Sequence, residues 1–336
     1  MPYEIWNRRY TGSKYKLADW IVDLICENCR GDSFCDLFAG TAILTQRMLC
    51  HVSRIHINDL LYSNELIYKA FFLNQPCDMN KLSSYIDRYA SLDPDQLPEN
   101  YMSEHFGNNF FSMRDARWIG HIREQIDSDA AYLTEKERAV LIASLLYSAD
   151  KAANTVGHYD AYIQSHTIPD RFALDIISPY DTHDKRVSIT RQDANQLAKH
   201  LACDIVYIDP PYNSRQYSRF YHVLENIACW KKPDLYGVAH KPAPENMSEY
   251  CRSAATRVFS DLIANLQCRY IVVSYNNTYA SKSTSSRNKI ALESLRDILQ
   301  SRGELMTFSR EHAFFNAGKT SFNDHKEYIF IVKVGE

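Results

Sequence analysis

Ile205–Tyr212 reads IVYIDPPY, an unbroken apolar and aromatic run followed by a carboxylate, two prolines and a second aromatic ring. A short β-rich run closed by a proline turn is the pattern of a parallel strand buried on both faces. Upstream, Ser33–Ala39 (SFCDLFA) runs into a turn at Gly40 in the same way, and Ile55–Asn58 (IHIN) is a third strand. Tyr270–Ser274 (YIVVS) and Tyr328–Val334 (YIFIVKV) add two more, separated by the helical pattern IALESLRDILQSRG. Strands alternating with helices predict an α/β sheet. Such sheets bind ligands beyond the carboxyl ends of their strands, where the Gly40 and Pro210-Pro211 turns are expected.

From about Leu66 to Arg186 apolar residues recur at helical spacing with no clear strand among them, which predicts a mostly helical insertion. Thr134-Glu135-Lys136-Glu137 fits a capping box ahead of AVLIASLLYSADKAA. Leu92–Tyr101 (LDPDQLPENY), with two prolines, reads as an exposed loop. The expected division is therefore a core from residues 1–65 and 187–336, and an inserted domain at 66–186.

The chain has 336 residues, 45% hydrophobic and 24% charged, which suits a folded protein and excludes a disordered, collagen-like or coiled-coil one. No run approaches the roughly 18 apolar residues of a membrane helix, and MPYEIWNRRY lacks a signal-peptide core, so a cytoplasmic protein without membrane association is expected. Nine scattered cysteines predict reduced thiols. Cys26 and Cys29 alone have metal-like spacing, but IVDLICENC reads as a helix end, and no metal is expected.

A net charge of −3 does not suit a nucleic-acid binder overall, yet RRYTGSKYK, DKRVSITRQ, RQYSRF and SKSTSSRNK are locally basic. Each could equally be a solvated face. The 23 tyrosines and 15 phenylalanines, several beside these clusters, favour stacking on bases. Ser281–Ser286 (SKSTSS) reads as a short polar loop.

Chemistry concentrates in four places. Asp209 and the Pro210 carbonyl can accept both hydrogens of an exocyclic amine and so free its lone pair for methyl transfer. The prolines fix φ and remove two amide donors, while Tyr212 can stack on a planar base. Asp36-Leu37-Phe38-Ala39-Gly40-Thr41-Ala42 joins a strand to a helix, either as a plain turn or as a place where Gly40 admits a ligand to free helix amides. Asp59, after Asn58, either caps the next helix or grips ribose hydroxyls. Arg9–Lys16 (RYTGSKYK) lacks the Walker spacing, so Lys14 beside the glycine turn suggests a carboxylate clamp.

RRYTGSKYKL, DLFAGTA, IND and YIDPPY, in this order, resemble the Dam-like, α-class N6-adenine DNA methyltransferases. The resemblance implies a Rossmann-like core with a helical inserted domain for target recognition. It also implies S-adenosylmethionine as donor, S-adenosylhomocysteine as product, an adenine amino group as acceptor, and a site-specific role in a restriction-modification system. Tyr10 and Lys14 match the motif that holds the methionine part, and Phe38 and Gly40, with Asp36, the motif that contacts the cofactor. Asp59 matches the ribose-binding acid, Asp193 in RQDANQL the residue at the cofactor's adenine, and Asp209, Pro210, Pro211 and Tyr212 the catalytic motif. Ser274-Tyr275-Asn276-Asn277 is similar to a segment near the flipped base. Ala42 departs from the usual second glycine, and the long insertion precedes the Asp193 motif.

A cytosine C5-methyltransferase would need a cysteine nucleophile; Pro76-Cys77 and Glu225-Asn226-Ile227 match its motifs only by coincidence, since Cys77 follows no strand and Glu225 lies in the helical pattern YHVLENIACW. N4-cytosine enzymes usually carry Ser before the prolines. Ribosomal RNA adenine methylation is the closer rival, and a non-catalytic DNA-binding protein would be marked by loss of Asp209 or Tyr10. Double-stranded DNA is the expected partner, with Arg215, Arg219, Asn276, Lys282 and Arg287 as candidate contacts. A cognate restriction endonuclease is expected to share the target site without a stable complex.

Overall fold

The buried β-rich runs do become a sheet. The computed structural model describes residues 2–164, 167–277, 288–311 and 326–335; Ser281–Ser286, with Lys282, and Arg287 lie outside the described residues. Its strands are β1 (Ser33–Asp36), β2 (Arg54–Asp59), β3 (Arg186–Arg191), β4 (Ala202–Ile208), β5 (Gln267–Asn276), β6 (Gly303–Glu311) and β7 (Lys326–Val334). They form one sheet in the order β3-β2-β1-β4-β5-β7-β6. The first five are parallel, and β7 runs antiparallel to both β5 and β6. Strand order reverses between β1 and β4, the switch point of a doubly wound, Rossmann-like sheet. There Phe34 pairs with Ile205 and Asp36 with Tyr207, so the turns at Gly40 and Pro210-Pro211 emerge side by side.

The helices are α1 (Ala18–Asn28), α2 (Ile43–Met48), α3 (Tyr62–Phe72), α4 (Met79–Ala90), α5 (Tyr101–Phe106), α6 (Met113–Ser128), α7 (Glu135–Ala152), α8 (Ala194–Ala198), α9 (Tyr217–Phe220), α10 (His222–Cys229), α11 (Ala255–Asn265) and α12 (Leu292–Gln300). Among the described residues no helix is long and apolar enough to cross a membrane. All nine cysteines are free thiols, and Cys29 caps the end of α1, its thiol pushed up to about 12 by burial.

Two units divide the chain. The sheet unit comprises Lys14–Leu60, Asp184–Gln216 and Met247–Glu336. On one face of its sheet Cys35, Val206, Ile271 and Val273 meet Phe259 and Leu262 of α11 and Leu295 and Leu299 of α12, all nearly inaccessible. Residues of the opposite parity, Phe34, Ile55, Ile205 and Val272, are buried too, as parallel strands require.

The helical unit comprises Met1–Ser13, Leu61–His183 and Tyr217–Asn246. Every residue of α7 from Ala139 to Asp150 is buried, as expected of a helix apolar on all sides. The Thr134 capping box starts it: the Thr134 hydroxyl accepts from the Glu137 amide at 3.1 Å and the Glu137 carboxylate from the Thr134 amide at 2.9 Å. Its buried polar groups fasten neighbouring chain, Ser144 Oγ accepting from the Ile177 amide and Ser148 Oγ from the Asp175 amide, both at 3.1 Å.

Several expectations need correction. The core was expected to include residues 1–65, whereas Met1–Ser13 belongs to the helical unit, as does Tyr217–Asn246. Tyr3 shows why: it bridges to Ile177 and its ring lies 5.6 Å from that of Tyr147 on α7. Helix ends at Ala152, and the described residues from there to Arg186 form none; their amides bond to distant parts of the unit, as in Asn154 to the Phe110 carbonyl and Tyr180 to that of Phe71 in α3. β1 stops at Asp36 rather than Ala39, because Ala39 turns to donate to the Asn58 carbonyl.

Candidate active site at the carboxyl edge of the sheet

Lys14 is the first residue of the sheet unit, just before α1, and its side chain is 7% exposed. Its ammonium lies 2.8 Å from Asp209 Oδ2, 2.7 Å from the Tyr212 hydroxyl and 3.4 Å from Glu327 Oε1. The clamp expected of Lys14 is thus formed with carboxylates of its own chain. Tyr212 in turn donates to Asp209 Oδ1 and lies 3.3 Å from Glu327 Oε1, which also accepts from Ser274 Oγ at 2.8 Å. Pro210 is buried, and the Tyr212 ring stands edge-on to Tyr275 at 4.9 Å.

One ammonium thus serves two carboxylates in a place that water barely reaches. Burial raises the Asp209 pKa above the ordinary carboxylate range; Lys14 opposes the rise and Glu327 adds to it. Burial works against the charge on Lys14 as well, but Asp209 and Glu327 outweigh it and the pKa is raised. Tyr212 is held protonated by burial and by Asp209, well above the usual phenol range.

Asp36, at the end of β1, is buried and accepts from Thr45 Oγ1 at 2.9 Å; burial pushes its carboxyl up to about 7. Phe38 meets Tyr250 edge-on at 5.1 Å. Gly40 takes φ +53°, and its amide donates to Asp59 Oδ2 at 3.0 Å, while Asp59 Oδ1 accepts from the Leu60 amide at 2.8 Å. Asp59 therefore ties the end of β2 to the turn after β1, and the cap position of α3 belongs to Leu61. Ala42 is left-handed at φ +56°, a conformation that costs an L-residue about 1–2 kcal/mol, so the departure from a second glycine stores backbone strain beside the site. Asp193 caps α8 by accepting from the Asn195 and Gln196 amides at 3.0 and 3.1 Å.

Other candidates lie elsewhere. Tyr10 is in the helical unit, stacked on Tyr221 at 5.0 Å beneath the Arg8 guanidinium. Gly12, also there, adopts φ +83° with the Tyr217 hydroxyl 3.2 Å from where a Cβ would sit. Arg219 belongs to the helical unit and donates to the Pro242 carbonyl, whereas Arg215 is in the sheet unit. Asn276 is buried at the end of β5, its side-chain oxygen and carbonyl accepting from Asn288 at 3.0 and 2.7 Å. Among the described residues no group of three or more His, Cys, Asp or Glu side chains is arranged to hold a metal ion. Glu327 was missed, because one acid ahead of the apolar run YIFIVKV reads as a solvated strand end.

Residues 10–254 match the D12 class N6 adenine-specific DNA methyltransferase family. The type II methyltransferase M.NlaIII of Neisseria lactamica is 30% identical over 348 residues, covering 96% of this chain and 98% of that one. M.CviAII of Paramecium bursaria Chlorella virus 1 is 31% identical over 337 residues, covering 97% and 98%. The modification methylase StsI of Streptococcus sanguinis is 31% identical over 289 residues, 80% of this chain and 44% of the longer relative.

Proposed function

The chain belongs to the D12 class N6 adenine-specific DNA methyltransferases, and from that premise we propose how its sheet unit carries out the transfer. The enzyme acts on duplex DNA, and its donor is S-adenosylmethionine, whose sulfonium supplies the methyl group. Asp59 at the end of β2 suits a ribose diol, and the turn at Phe38 and Gly40 lets a ligand approach the backbone. Asp36 and Asp193, with Lys14 and Tyr10, complete the proposed cofactor set.

Catalysis rests on the turn after β4. Tyr212 stacks on an adenine swung out of the duplex, at an unstacking cost of a few kcal/mol. Asp209 and the Pro210 carbonyl accept its two amine hydrogens and aim the nitrogen lone pair at the methyl carbon, with Pro211 fixing the turn. As the N–C bond forms, the S–C bond breaks with its electron pair going to sulfur, and the amine then gives up one proton, to Asp209 or to water. Positioning and electrostatics supply most of the rate.

The helical unit is our candidate for target recognition; Arg219 within it, and Arg215, Asn276, Lys282 and Arg287 outside it, are the proposed contacts to DNA. We place the enzyme in the cytoplasm as the protective half of a restriction-modification system, sharing its site with an endonuclease it does not stably bind. The observation that carries this reading is the convergence of Lys14, Asp209 and Tyr212 at the switch point of the sheet. Labelled methyl transfer to duplex DNA and RNA, measured side by side with nucleoside digestion, tests it. N6-methyladenine in DNA from wild type but not Asp209→Ala is expected; label only in RNA, or undiminished in Asp209→Ala, would overturn it.

A further inference from the structure

Both oxygens of Asp209 are taken: Tyr212 donates to Oδ1 and Lys14 sits on Oδ2. An amine hydrogen needs one of them, and abandoning a donor at a buried site is costly unless another acceptor is at hand. Glu327 is that acceptor. The Tyr212 hydroxyl has one proton and two carboxylates in range, since Glu327 Oε1 is 3.3 Å away, and rotation about the C–O bond reaches either without moving the ring. Lys14 is within 3.4 Å of the same oxygen. Ser274 Oγ holds Oε1 in place at 2.8 Å, and Glu327, 3% exposed, is anchored by its pairing in β7 opposite Asn276 of β5.

We propose that Glu327 is a positioning residue that takes over the Tyr212 hydroxyl, and part of the Lys14 ammonium, when a substrate amine engages Asp209. This rests on the methyl-transfer reading of the site. The exchange frees Asp209 Oδ1 for the amine while keeping the Tyr212 ring in its stacking place, and Glu327 itself never touches the reacting atoms.

Glu327→Gln keeps the shape and removes the charge. Expected is a fall in kcat of roughly 10- to 100-fold, with the calorimetric Kd for S-adenosylmethionine within about twofold of wild type. The acid limb of the kcat profile should move to lower pH. Around Asp209 stand Lys14 ahead of α1, Tyr212 in its own turn, Tyr207 from β4, Asp36 from β1 and Glu327 from β7. Of these only the negative charge of Glu327 changes, which makes Asp209 easier to ionise.

A double-mutant cycle gives the decisive readout: with Tyr212→Phe already in place there is no hydroxyl to receive, so adding Glu327→Gln should cost several-fold less. Equal losses with and without the hydroxyl, or a Glu327→Gln enzyme with wild-type kcat and an unmoved acid limb, would overturn the proposal. Ser274→Ala, which removes the group aiming Oε1, should lower kcat roughly 3- to 10-fold and guards against misfolding of the first variant; unchanged kcat there also counts against it. A wild type that transfers nothing to DNA would bring down the reading of the site, and this proposal with it, whereas an active wild type with an indifferent Glu327 brings down the proposal alone.

Discussion

Asp150 on α7 of the helical unit and Asp209 after β4 of the sheet unit are both acids withdrawn from water, and both accept from two kinds of donor. Asp150 takes the Arg9 amide at 2.8 Å and the Tyr159 hydroxyl at 3.0 Å, while the Arg9 guanidinium also reaches the Thr155 carbonyl at 3.0 Å. Those bonds tie the N-terminal segment to the end of α7. Asp209 takes Lys14 and Tyr212, and each of these also lies near Glu327. An acid whose donors fasten backbone holds a fold together. One whose donors have a second acid in reach can release them to a substrate.

That contrast can be broken by experiment. Asp209→Ala should cost roughly 10³-fold in methyl transfer while thermal unfolding is unchanged or raised, because one of two carboxylates crowding Lys14 is gone. A clear fall in unfolding temperature would erase the distinction. Asp36 comes next. Burial raises its carboxyl from the ordinary 3.8 to about 7 in the folded state, so the folded state holds the proton and stability drains away as pH rises through that window. The slope is at most about 1.4 kcal/mol per pH unit. Asp36→Asn should flatten it, seen by denaturant unfolding at pH 5 and pH 8, and parallel pH dependences for the two proteins would refute the burial argument.

Asp150→Asn sharpens the other side. It should lower stability by about 2–3 kcal/mol, since the Arg9 contact loses its charge and one acceptor becomes a donor. An unfolding midpoint equal to wild type would show that the helical unit does not depend on this acid. The smallest effect is expected at Ala42→Gly. Relief of the left-handed backbone, less the entropy of a new glycine, should leave a gain of about 0.5–1 kcal/mol in equilibrium unfolding; a loss would mean that the buried methyl outweighs the strain.

Much of this was legible in the residues, and what was not had physical causes. The five strands foreseen are those with apolar runs, because all five lie inside the sheet, four of them parallel and β7 antiparallel, where both faces are covered. β3 and β6 were missed. Both are edge strands without a fully buried residue: RVSITR reads as part of a basic cluster, and GELMTFSRE has no long apolar run to mark it as a strand. The Thr134 box was legible because it is purely local. Glu327 was not, because what makes it matter is the meeting of β7 with Lys14 and Tyr212, residues more than a hundred positions away in the chain. Asp193 and Asp59 show the reverse limit: motif position suggested ligands, and the structure adds a helix cap and a strand tie that both residues provide in any case.

The pairing of β1 with β4 has a consequence for how the molecule is made. Ser33 bonds Asp204 across 171 residues of chain, and the catalytic turn begins only five positions after that. On a ribosome adding about 5–20 residues per second, β1 and β2 wait roughly 10–30 s for the strand that completes their flank. Throughout that interval Phe34, Cys35 and Ile205's future neighbours lie along an open edge, and translation delivers the segment that closes it only after the whole helical insertion has emerged.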